Sequence, residues 1–186
     1  MNIYILLIVL FTVSEIGLVL AKRSKSGGIK SRADRGSMLL LWIAIPVSLT
    51  ATGFIAGYRF CMFPDLSIVE KVAEAMIVGG FIIRWVAIAQ LGKMFTVDVS
   101  ISNTHTLKTT GLYRIVRHPS YLGLLLIIEG LVLFRGSALA LILSIVLVFL
   151  AINYRMVVEE NALKSEFGSD YENYMKRVKR IFPWVY

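Results

Sequence analysis

Two short stretches of this 186-residue chain carry side chains that could do chemistry. The first contains His105-Thr106-Leu107-Lys108, then Tyr113, then Arg117-His118-Pro119-Ser120-Tyr121, and holds both histidines of the protein. The second is Arg155-Met156-Val157-Val158-Glu159-Glu160. On a helix, Arg155 and Glu159 are four apart and face the same way, whereas Glu160 is turned by roughly 100°. Glu159 more than Glu160 is therefore expected to share a site with Arg155. Several other chemistries lack their residues. Two histidines thirteen residues apart with scattered acids match no metal-ligand spacing, so no metal is expected. Cys61 is the single cysteine, and there is no G-x-S-x-G elbow, no P-loop and no G-x-G-x-x-G. Each candidate also has a plainer reading. Gly111-Leu112-Tyr113 suits a turn, and His118-Pro119 suits a helix start with proline at its first position. Arg155 suits an anchor at a membrane edge, and the glutamate pair suits a solvated helix face.

The elements that must position these residues are apolar. Of the chain, 57% is hydrophobic and the mean hydropathy is +0.73, more than a soluble interior of this size can hide. Five apolar runs, 2–21, 38–58, 67–91, 120–134 and 137–154, predict an all-α integral membrane protein with about five transmembrane helices in one domain, 1–186. Residues 1–91 supply three N-terminal spans. The first run lacks the basic start and small-residue cleavage site of a signal peptide, so it is expected to be retained. Pro46 and Gly53 are expected kink points in the second, and the fourth is short against the roughly 20 residues of a straight span. Glu15 breaks the first run and Arg84 lies in the third. Basic residues crowd alternate connections: Lys22, Arg23, Lys25, Lys30, Arg32 and Arg35 in the first, Lys93, Lys108, Arg114 and Arg117 in the third, and more in the tail from 155. The net charge of +8 thus indicates a cytosolic membrane face rather than nucleic acid. The N-terminus falls outside and both chemistry-bearing stretches fall inside. In the tail, Leu163, Phe167, Tyr171, Tyr174, Met175 and Val178 predict one apolar helical stripe, with Gly168 able to end a helix. Lys176, Arg177, Lys179 and Arg180 would face anionic head groups.

The segment from His105 to Tyr121, followed by Arg155, Glu159-Glu160 and Phe167-Gly168-x-x-Tyr171-x-x-Tyr174, closely resembles the isoprenylcysteine carboxyl methyltransferase family. It also resembles the wider membrane methyltransferase group that includes phosphatidylethanolamine N-methyltransferases. The resemblance covers roughly residues 92–186 and looks like a compact prokaryotic form without extra N-terminal helices. It implies a membrane bundle that binds S-adenosylmethionine in a cytosolic pocket, with 92–186 as the cofactor-binding, catalytic half. It implies cofactor contacts from His105, Thr106, Leu107, Lys108, Tyr113, His118, Pro119, Ser120, Tyr121, Glu159 and Glu160, with Lys108 standing where a valine is common. Arg155 would hold a substrate carboxylate, and Arg155 and Glu159 would be the catalytic pair. Methyl transfer from a sulfonium is a displacement that mainly needs alignment, and an ionised carboxylate acceptor needs a fixed cation rather than a base. The implied partners are the bilayer and a lipophilic or prenylated acceptor, with no nucleic acid. The implied location is multi-pass in a plasma or inner membrane. An N- or phenol O-methyltransferase of the same fold, with a glutamate as base, and a non-enzymatic membrane or transport relative are the alternatives.

The charge pattern predicts a topology. With Cys61 replaced, single cysteines at Ser26, Asn103 and Ser169 should all be labelled by impermeant reagent only from the cytosolic side. Labelling of any of the three from outside rejects the assignment of spans.

Overall fold

The computed structural model describes residues 3–21, 32–92, 106–183 and 185. His105, and the labelling positions Ser26 and Asn103, lie outside the described residues. Among the described residues five α-helices follow in order, α1 (Ile3–Ala21), α2 (Arg32–Gly57), α3 (Leu66–Leu91), α4 (Pro119–Leu133) and α5 (Ala138–Arg177), with a 3-10 turn at Gly111–Arg114 before α4. Among the described residues the only extended pairings are two isolated bridges, Met62 with Ser137 and Val116 with Lys179. Gly36–Gly57, Leu66–Leu91 and α5 are long and apolar enough to cross a membrane, while Tyr4–Leu20 and α4 are shorter apolar helices.

The shortness of α4 is explained by where it sits. Twelve of its fifteen residues are buried, and it touches each of the other four helices. A helix that is apolar all round belongs at the centre of a bundle. At 1.5 Å per residue its 15 residues span only about 22 Å, short of the ~30 Å hydrocarbon layer. Its neighbours, not lipid, cover it.

Small residues let α3 and α4 approach closely. A Cβ on Gly80 would come within 2.7 Å of the Gly123 carbonyl oxygen, and one on Gly123 within 2.6 Å of the Gly80 oxygen. One turn pair further along, a Cβ on Gly130 would meet Ile77 at 2.7 Å. Helices in lipid associate through such close packing because no hydrophobic drive separates side chain from solvent. At the opposite end of the bundle from Arg155, backbone bonds from Phe63 to Gly136 (2.8 Å) and from Ala138 to Cys61 (2.8 Å) tie the α2–α3 connection to the α4–α5 turn. Ser137 caps α5 there by accepting from the Ala140 amide.

One expectation changes. Arg180, expected at head groups, turns inward to Glu160 and Asn153. The tail itself follows directly from the fifth apolar run: α5 continues past residue 154 and is interrupted at Gly168, whose φ of +49° leaves the helical region. The apolar stripe does form one cluster, Tyr171, Tyr174 and Val178 packed with Leu163, Phe167 and Met175, and Leu107 from the other chemistry-bearing stretch joins it.

Replacing Gly123 by leucine should destabilise the protein by about 1–3 kcal/mol or more, because the α3 backbone cannot yield. Gly17→Leu, where nothing lies within 4 Å of an added Cβ, should leave the melting temperature in detergent nearly unchanged. Equal melting temperatures for the two variants would contradict the close α3–α4 approach.

Candidate active site

Glu160 organises the site although it does not line it. Its side chain is buried and its Oε1 accepts from Arg117 Nε at 3.0 Å and Nη2 at 2.9 Å. Oε2 accepts from Arg180 Nη2 at 2.8 Å, and His118 Nε2 lies 3.1 Å from Oε1. A buried carboxylate is tolerated only with such pairing. These bonds join three segments that the chain keeps far apart: the stretch before α4, the extension of α5, and the residues after it. Backbone bonds from the amides of Arg117 to Lys179 (2.7 Å) and of His118 to Arg180 (2.9 Å) run alongside. Arg117 also donates to the Met175 and Val178 carbonyls.

The stretch before α4 is shaped by one glycine. Gly111 has φ of +65°, and a Cβ there would meet Gln90 Oε1 at 2.5 Å. That oxygen instead accepts from the Leu112 amide at 2.9 Å. The turn delivers Tyr113, whose hydroxyl donates to the Ala87 carbonyl at 3.3 Å and whose own carbonyl accepts from the Tyr174 hydroxyl. Burial, and then the nearby Glu159 charge, push the Tyr113 phenol well above its usual range. It stays neutral and serves as a donor and a flat wall.

Above Glu160 lies a cavity of about 540 Å³, the size of sites that hold small organic ligands. Arg155, Glu159, His118 and Lys108 line its polar part, together with Tyr113 and Tyr121. Arg155, 2% exposed, donates from Nη1 to Ser37 Oγ at 2.8 Å and lies 3.4 Å from the Tyr121 hydroxyl. The same hydroxyl meets Glu159. Glu159 Oε2 is 4.0 Å from His118 Nδ1, and its side chain keeps a third of its exposure. Arg84 on α3 enters the wall too. It grips Glu15 on α1 with two bonds of 2.8 and 2.7 Å and donates to the Ser120 carbonyl and hydroxyl, each at 3.1 Å. Its apolar lining includes Phe11 and Ile16 of α1 and Trp42, Ile45 and Leu49 of α2.

The structure brings Thr106, Leu107, Lys108, Tyr113, His118, Ser120, Tyr121, Arg155 and Glu159 to this one cavity. Pro119 instead occupies the first position of α4, and Glu160 spends its oxygens on Arg117, His118 and Arg180. The 100° turn between the two glutamates separates them as the helical period requires. Several contributors were not singled out from sequence: Arg117 and Arg180 as Glu160's partners, the Glu15–Arg84 pair, and Ser37. A signal existed for the pair, since a charge inside an apolar span needs a partner. None existed for Ser37, one serine among many.

The described residues thus form a helical bundle, three of its helices long and apolar enough to cross a membrane, around a cavity lined by both charged and apolar side chains. The model of the isoprenylcysteine carboxyl methyltransferase family matches residues 73–165, and the chain belongs to that family of methyltransferases. It is 31% identical over 186 residues to protein-S-isoprenylcysteine O-methyltransferase B of Arabidopsis thaliana, covering 97% of this chain and 91% of the relative. It is 30% identical over 129 residues to a probable protein-S-isoprenylcysteine O-methyltransferase of Oryza sativa subsp. indica, covering 67% of this chain and 68% of that one. A solved structure of the eukaryotic intramembrane Ras methyltransferase of this family superposes with a TM-score of 0.72 at 26% identity. The match covers 98% of this chain and 65% of that chain.

Glu160→Gln should remove the compensation for two arginines, one of them buried, and destabilise the protein by about 3–5 kcal/mol. Glu159→Gln, at a partly exposed position, should cost about 1 kcal/mol or less. Denaturation in detergent checks this, and similar losses for the two variants would contradict the division between a structural and a cavity glutamate.

Proposed function

We propose that this protein transfers a methyl group from S-adenosylmethionine to a carboxylate on a lipid-like acceptor of the isoprenylcysteine kind, at the cytosolic face of a membrane. The observation that carries the reading is one cavity lined both by charges of both signs, Arg155 and Glu159 among them, and by apolar side chains of α1 and α2. On α2 the lining runs from Met38 to Thr50, about 18 Å at 1.5 Å per residue. A lipid tail would lie along that wall while its charged head meets Arg155.

The residues present fit the cofactor. Tyr171 lines the cavity, yet its buried hydroxyl has no hydrogen-bond partner among the described residues, and buried hydroxyls are rarely left unpaired. Glu159 presents a carboxylate suited to the cofactor's ammonium group, and Tyr113, Leu163 and Phe167 offer flat or aliphatic surface for its adenine. When bound, the cofactor supplies an electrophilic methyl on sulfonium. Arg155 holds the acceptor carboxylate by a forked, permanent charge, itself fixed by Ser37 and Tyr121. No residue has to remove a proton, because the acceptor is ionised at neutral pH. The protein's contribution is alignment, with water kept from the apolar side. A charged donor from the cytosol and an acceptor from the bilayer would meet where the two parts of the cavity join.

Arg155→Lys keeps the charge and loses the fork. It should lower kcat/KM for N-acetyl-S-farnesylcysteine strongly, while calorimetric affinity for S-adenosylhomocysteine stays nearly intact. Glu159→Gln should weaken that affinity about tenfold, the loss of one charge-assisted bond in a partly exposed site. Indistinguishable profiles for the two variants would reject these roles, and an absence of S-adenosylhomocysteine binding to the unmodified protein would reject the reading.

A further inference from the structure

Outside the cavity, one polar cluster has no part in the chemistry above. In the middle of the bundle Ser48 Oγ on α2 donates to Ser144 Oγ on α5 at 2.8 Å. Ser144 Oγ donates in turn to Glu129 Oε1 on α4 at 3.0 Å. All three residues are at most 3% exposed, among apolar neighbours. Glu129 Oε2 has no partner among the described residues. A buried acid within an apolar helix is costly to keep, and such residues mark functional demands more often than packing demands.

Its placement relative to the cavity is regular. Ser37 and Ser48 are 11 residues apart on α2. Ser144 and Arg155 are 11 residues apart on α5. Eleven residues make about three turns, so each pair lies on one face of its helix, about 16 Å apart along the axis. The two cross-links, Ser37 to Arg155 and Ser48 to Ser144, therefore belong to one antiparallel register of α2 against α5. A slip of one residue would break both together and turn Ser37 about 100° away from the guanidinium. Apolar faces alone set such a register weakly, because sliding exchanges one aliphatic contact for another. Directed hydrogen bonds do not slide.

We propose that Ser37 is a positioning residue for Arg155, and that the Glu129–Ser144–Ser48 chain sets the α2–α5 register that delivers it. This rests on the reading that Arg155 holds the acceptor's carboxylate. Arg155 is a rotamer-rich side chain with five donors to satisfy. Ser37 is wholly buried and holds Nη1 at 2.8 Å, while Tyr121 stands at Nε. The two contacts lie at different nitrogens and contribute to fixing the plane of the fork. Removing the serine hydroxyl keeps the charge in the cavity and loosens its aim. The effect should fall on the acceptor and spare the cofactor.

The test uses the full chain in lipid nanodiscs, with N-acetyl-S-farnesylcysteine as acceptor probe and S-adenosylhomocysteine as cofactor probe. Ser37→Ala should lower kcat/KM for the acceptor about tenfold, the lower end for a bond to a charged group, with S-adenosylhomocysteine affinity unchanged. Ser37→Thr, which retains a hydroxyl, should recover most of the loss. In an Arg155→Lys background Ser37→Ala should add nothing, since residues acting as a unit are not additive. Ser144→Ala should move the same parameter in the same direction by a smaller factor. Should Ser37→Ala fail to fold, Ser37→Cys, of similar volume and a poor acceptor, replaces it. If Arg155→Lys impairs acceptor use while the Ser37 variants do not, the positioning role is wrong and the reading of Arg155 stands. If Arg155→Lys leaves acceptor use intact, that reading falls and the proposal with it. Equal losses for acceptor and cofactor on removing the Ser37 hydroxyl would make the serine a packing residue only and overturn the proposal.

Discussion

A single buried carboxylate, that of Glu160, holds together the half of this protein that carries its chemistry. It binds Arg117 and His118, from the stretch before α4, and Arg180, from the segment after α5, at once. Without it, Arg117 would be a charge taken out of water with nothing to balance it, which a low-dielectric interior does not tolerate. With it, the turn at Gly111, the first residues of α4, the extension of α5 and the final segment form one rigid floor. Tyr113, His118, Ser120 and Glu159 of the cavity wall belong to these segments.

The membrane imposes the second constraint. In lipid, helices find no hydrophobic gain in meeting each other, so contact must come from shape and hydrogen bonds. The α3–α4 pair uses shape, with glycine against glycine. The α2–α5 pair uses hydrogen bonds through serine. α1 is held by a narrow seam of Tyr4, Phe11 and Leu18, each seven residues from the next, by stacking of Tyr4 on Phe134, and by the Glu15–Arg84 pair. That light attachment is what leaves room for an apolar cavity between α1 and α2. A tightly packed α1 would close it.

Charge inside the bundle is paired. Glu15 binds Arg84 with two bonds, and Glu160 binds Arg117 and Arg180. Ser37 and Tyr121 are among the partners of Arg155, and the proposed assignment of the acceptor to it follows from its place in the cavity wall with Glu159.

Local rules were enough for much of this. The apolar runs announced all five helices, and the bounds of α1, α3 and α4 to within a residue, because a chain in lipid must satisfy its backbone internally and only helices or closed barrels do so. The helical period put Glu159 beside Arg155 and turned Glu160 away, and it grouped Tyr171, Tyr174 and Val178 on one stripe. The motif residues from Thr106 to Tyr121 were recognisable as a set. What the chain does not write locally is partnership across distance. That Glu160 would collect Arg117 and Arg180, that Arg180 would turn in rather than out, and that Glu15 would meet Arg84 across 69 residues depend on which helix faces meet. Ser37 is the sharpest case. Nothing in its neighbourhood distinguishes it, and it gains a role only when α2 and α5 are laid antiparallel in one register. Periodicity gives the face a residue occupies, but the residue opposite it is decided by packing that sums over the whole bundle.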